Sequence, residues 1–81
     1  MKYREKLIKF GLNVAYNRKY RLLTQAELAE RANISESFLE KLENPNIFTA
    51  PSFETICKLA DALEVSESRL LDFGETIENK S

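Results

Sequence analysis

Four residues stand out for what they could do together: Glu36, Ser37, Glu40 and Lys41. At these spacings they share one face of a helix. The set holds two carboxylates that accept, an ammonium that donates and a hydroxyl that does both. That is recognition chemistry, made of hydrogen bonds to a partner. Bond-breaking chemistry has little to draw on. The chain has no histidine, one cysteine and no glycine-rich phosphate loop, and nothing in the pattern brings a pair of carboxylates into a cleft. One cysteine without histidine also rules out the common zinc-ligand sets. The reading is a non-enzyme with no metal and no cofactor.

The elements that must position these four residues lie in Thr24 to Glu43, TQAELAERANISESFLEKLE. Thr24 and Glu27 have the spacing of a capping box, with Leu23 and Leu28 as the hydrophobic staple around it. Ala26, Leu28, Ala29 and Ala32 then recur at helical spacing. Asn33 is the residue expected in the left-handed region, because its short polar side chain tolerates positive φ. Ser35 caps a second helix, stapled by Ile34 and Leu39. Leu39 and Leu42 face inward there, and Glu36, Ser37, Glu40 and Lys41 face outward. A helix, a tight turn and a capped helix form the geometry of a helix-turn-helix.

Eighty-one residues allow one small domain. The division expected is a single domain over 1–74, with the helix-turn-helix proper at 24–43, and a polar tail over 75–81. A first helix is expected from near Lys2 to about Lys19. Tyr3, Leu7, Phe10 and Val14 mark its inward stripe, and Ile8, Leu12 and Ala15 form a second apolar strip beside it. That is more apolar width than one buried face requires. It fits either packing on the chain's own core or a self-association surface. The stretch 44–51, NPNIFTAP, is a loop by its prolines and asparagines, and Phe48 is expected to pack down on the body. Ser52 caps a fourth helix whose buried face is read as Phe53, Ile56, Leu59, Ala60 and Leu63. Cys57 beside that stripe reads as a small buried residue. Val65, Ser66 and Leu70 repeat the staple and cap for a short fifth helix. Leu70, Leu71 and Phe73 then either complete the core or form a dimer seam.

Net charge is −1, but it is unevenly distributed. Residues 1–21 carry seven bases against Glu5 alone, and residues 22–81 carry five bases against twelve acids. A basic arm on an acidic body steers toward phosphate, or is simply a solvated helix face. No apolar run reaches membrane length and no signal-peptide pattern opens the chain. The single cysteine fits a reducing cytoplasm.

LTQAELAERANIS, SFLEKLEN and PSFETICKLADALEVS together resemble the DNA-binding domain of the phage repressor (Cro/C1, or Xre) family over roughly Phe10 to Leu71. The resemblance implies an all-α, five-helix bundle of the lambda-repressor-like type, here with an extended first helix. It implies a sequence-specific regulator of transcription, a repressor that binds double-stranded DNA as a dimer on a palindromic operator. Thr24 and Gln25 at the start of the second helix, and Ser35 at the start of the third, would hold phosphates. Glu36, Ser37, Glu40 and Lys41 occupy the base-reading positions, with Phe38 reaching a thymine methyl or packing at the helix edge. Arg18 and Glu43 stand where family members form a structural ion pair. Three departures are visible. Asn17 is polar at a usually apolar position, Leu22 replaces a frequent glycine, and 44–51 has no base. The same fold also serves as a protein-interaction module, an antitoxin or adaptor, for which the helix-one extension or the 44–51 loop would be the docking surface.

Overall fold

The computed structural model describes residues 2–74; the expected polar tail at 75–81 lies outside the described residues. Five helices and no strand occur among them: α1 (Tyr3–Tyr20), α2 (Gln25–Ala32), α3 (Glu36–Glu43), α4 (Phe53–Leu63) and α5 (Glu67–Leu70). The all-α, five-helix architecture is the one expected, and α1 is extended as expected, ending one residue beyond Lys19.

Four of the helices start on a hydroxyl. Thr24, Ser35, Ser52 and Ser66 each accept the backbone N–H three residues on, at 3.0, 3.0, 3.1 and 3.3 Å. At α2 the box is complete, since the Glu27 carboxylate accepts the Thr24 N–H at 2.8 Å. Such caps satisfy donors that a helix start leaves open.

Three helices also end alike. Leu22, Asn33 and Glu64 sit in the left-handed region at φ 62°, 57° and 58°. After each, an apolar residue donates its N–H back five residues: Leu23 to Arg18, Ile34 to Ala29 and Val65 to Ala60, all at 3.0 Å. These are Schellman turns, in which the wrapped backbone satisfies the last carbonyls and the following apolar residue folds inward. The three-residue unit is therefore left-handed residue, apolar residue, hydroxyl cap. Repeated three times, it keeps the connections short enough for a small chain to bury a core.

That core draws on every helix: Phe10 and Val14 from α1, Leu28, Ala29 and Ala32 from α2, Leu39 and Leu42 from α3, Leu59, Ala60 and Leu63 from α4, and Leu70 from α5, with Leu23 from the first turn. Leu70 is wholly buried, so it completes the monomer core and is not available to a second copy; Leu71 remains exposed. Phe53 was expected on the buried face of α4 but is exposed. It is the first residue of that helix and stands ahead of the body that covers Leu59 and Leu63. Phe48 likewise does not pack down. It stays 47% exposed, with the Arg4 guanidinium 4.2 Å over its ring centre. The cation joins the loop to the amino-terminal end of α1. Cys57 is half-buried, and burial first, then the Glu67 and Asp61 carboxylates, push its thiol up, away from the reactive thiolate.

Candidate nucleic-acid interface

The surface of interest is the outer face of α3, and its orientation is fixed from behind. Leu39 and Leu42 are buried against the core, so Glu36, Ser37, Glu40 and Lys41 point to solvent. None of the four has a side-chain hydrogen bond or ion pair among the described residues. Phe38 is half-buried at the edge of the core, the second of its two expected roles.

Glu43 anchors the carboxyl-terminal end of α3. Arg18 of α1 reaches it with two nitrogens, Nε to Oε2 at 2.9 Å and Nη2 to Oε1 at 3.0 Å. The third guanidinium nitrogen, Nη1, donates to the Leu23 carbonyl at 2.8 Å. Gln25 Nε2 donates to Glu43 Oε1 at 2.9 Å. One carboxylate thus receives α1 and the first residue of α2, and the same arginine holds the turn between them. Arg18 and Glu43 are both about 9% exposed. A forked pair so placed is directional, and nearly every polar atom in it is satisfied.

The network changes the part played by Gln25. Its side-chain amide was expected on a phosphate, but here it donates to Glu43. The Glu27 and Leu28 N–H groups are also taken, by the Thr24 hydroxyl and carbonyl. What the start of α2 still offers an anion is its first-turn backbone N–H groups and the positive end of the helix dipole. The Thr24 and Ser35 hydroxyls serve as caps, and each still has a proton to donate.

Two of the cations near the start of the chain that would offset the acidic α3 are engaged elsewhere. Arg18 is held by Glu43, and Arg21, just past α1, pairs with Glu64 Oε1, just past α4, at 3.0 Å. Lys41 is the one base on α3 itself, beside Glu36 and Glu40.

Two residues that hold this frame were not singled out from sequence. Gly11 passes so close to α3 that a Cβ would overlap the Leu42 carbonyl oxygen. Its signal was available, because glycine inside a helix is unfavourable by about 1 kcal/mol relative to alanine and calls for a reason. Asn13 donates its amide to the carbonyls of Leu70 and Asp72 at 2.9 and 2.8 Å, tying the end of α5 to α1. Nothing local announces that bond across some sixty residues. Asn17, the polar residue in an apolar register, is buried and donates to the Asn13 carbonyl at 2.8 Å.

A family model described as helix-turn-helix (HTH_3) matches residues 15–70, most of the chain and all of α2, α3 and α4. The chain belongs to the helix-turn-helix family. Its type is that of the Xre, or Cro/C1-like, proteins. This helix-turn-helix chain is 36% identical over 62 residues to the HTH-type transcriptional regulator SinR of Bacillus subtilis (strain 168), a match covering 76% of the chain and 55% of SinR. It therefore spans about half the length of that curated relative. Among solved structures it is similar to the restriction-modification controller protein C.AhdI from Aeromonas hydrophila, with TM-score 0.74 and 30% identity over 79% of this chain and 94% of that one. The helix-turn-helix chain shares its fold with that controller, and no described helix is long and apolar enough to cross a membrane.

Proposed function

We propose that this chain is a sequence-specific double-stranded DNA-binding regulator of transcription, a repressor that occupies a two-fold operator as a dimer. The observation that carries the reading is the outer face of α3: four polar residues with no side-chain partner among the described residues, on a helix locked from behind by the Arg18–Glu43–Gln25 network. The likeness to a transcriptional regulator and to a controller protein supports it. Lys41 donates to guanine O6 or N7, Glu36 and Glu40 accept from cytosine N4, and Ser37 reads either. The Thr24, Gln25 and Ser35 ends of α2 and α3 lie against phosphates. The whole of 1–74 acts as one reading domain, and half-sites lie about one helical turn, roughly 34 Å, apart. It works in the cytoplasm.

Selection of duplexes from a random pool, followed by titration of the winner at two salt concentrations, tests this. A two-fold-symmetric winner whose affinity falls steeply with salt is expected. Absence of enrichment would refute the reading. Within the selected site, Lys41→Ala should relax base preference at one position per half-site by about 1–3 kcal/mol. An unchanged preference profile would remove Lys41 from the reading set.

A further inference from the structure

Helix α1 carries two apolar seams, and the core uses only one. The inner seam runs Tyr3, Leu7, Phe10, Val14 and Asn17, alternating steps of four and three. Phe10, Val14 and Asn17 are buried in it. The outer seam runs Glu5, Ile8, Leu12, Ala15 and Lys19, alternating steps of three and four. Such a 3-4 alternation is the pattern of a helix that packs along another helix. Yet Leu12, at its centre, is 45% exposed, and the neighbouring Tyr16 is 66% exposed, stacked on Tyr20 at 6.5 Å between ring centres. Scattered apolar residues on a surface need no partner, but a heptad seam with aromatic flanks does call for one.

The charges say which partner. The seam has an acid at its amino-terminal end and a base at its carboxyl-terminal end, both exposed; one Glu5 oxygen accepts the Lys2 N–H at 3.1 Å, and a carboxylate has capacity for further donors. Leu12 lies seven residues from each. A two-fold axis through Leu12 therefore brings Glu5 of one copy onto Lys19 of the other, twice. It also brings Ile8 onto Tyr16, Leu12 onto Leu12, and Lys9 onto Ala15 rather than onto another cation. A parallel arrangement would set Glu5 on Glu5 and Lys19 on Lys19. The seam is thus complementary to itself in the antiparallel sense, and an isologous two-fold interface needs such self-complementarity. We propose that the outer seam of α1 is an association surface for a second copy of this chain, packed antiparallel about Leu12 with Glu5 and Lys19 paired across it. One helix face buries less than the roughly 800 Å² per partner of a standard interface, which puts the association in the weak, reversible class. The surface is separate from α3 and does not depend on the DNA reading.

Sedimentation equilibrium of the full chain without DNA tests it, over about 1 µM to 1 mM. The wild-type chain should associate in that range, Leu12→Glu should weaken association roughly tenfold or more, and Leu71→Glu should leave it unchanged. Glu5→Lys and Lys19→Glu should each weaken it, and the double reversal should restore it. All four positions are solvent-facing, and equal helicity by circular dichroism identifies variants that remain folded. A wild-type chain monomeric throughout overturns the proposal. So does association in Leu12→Glu equal to wild type, or a double reversal no better than the single ones. Binding of Leu12→Glu to a half-site duplex reports on the DNA reading separately.

Discussion

The turn that enters α2 and the turn that leaves it have the same backbone and opposite chemistry. Both place one residue near φ 60° and close with an N–H returned across five residues. At the exit the left-handed residue is Asn33, whose side chain suits that region. At the entrance it is Leu22, 88% exposed and with no such advantage. What holds the entrance lies elsewhere: Leu23 is buried after it, and Arg18 reaches across to the Leu23 carbonyl while gripping Glu43. A turn can therefore be specified by its own residues or imposed by the rest of the fold. The second kind tolerates a side chain that would not choose it.

Breaking the imposed turn should have the largest effect. Glu43→Ala leaves the Arg18 guanidinium almost buried with only the Leu23 carbonyl as partner, and should lower stability by about 3–5 kcal/mol. Glu36→Ala, exposed on the same helix, should change it by less than about 0.5 kcal/mol. Equal denaturant midpoints for the two would refute the tertiary account. Gly11→Ala pushes α1 and α3 apart where Arg18 must bridge them, and should lower stability by about 1–3 kcal/mol in the same assay. The local turn is next. Asn33→Leu should lower stability by about 1 kcal/mol, because the left-handed region disfavours a leucine. The smallest effect sharpens the contrast by its sign. Leu22→Gly relieves that strain but adds unfolded-state entropy, for a net stabilisation of about 0.5 kcal/mol. A loss of stability there would mean that the leucine makes a contact worth more than its strain.

The same division separates what the sequence disclosed from what it withheld. Thr24 with Glu27, Asn33, and the serines at 35, 52 and 66 were legible because caps and turns are settled within a few residues. The inward stripes of α1 to α4 were legible as periodicity, except where a helix begins ahead of the body. There Tyr3 and Phe53, each the first residue of its helix, fit the stripe but find nothing to cover them. Phe48 was misjudged because its partner, Arg4, lies forty-four residues away. Arg18 and Glu43 were found through family resemblance, but the bond from the Gln25 amide to Glu43 was not. Its geometry depends on where two helix ends meet. The outward residues of α3 could be read as a set by their spacing, since solvent exposure follows from the burial of Leu39 and Leu42.

The position of Glu43 has one more consequence. The clamp grips the last residue of α3, and the core grips Leu39 and Leu42, so among the described residues no side chain that holds the helix in place belongs to positions 36, 37, 40 or 41. Those four letters can be rewritten without disturbing the frame that presents them. On the proposed reading the domain works as a type holder: its stability is set on one side of an eight-residue helix, and its vocabulary on the other.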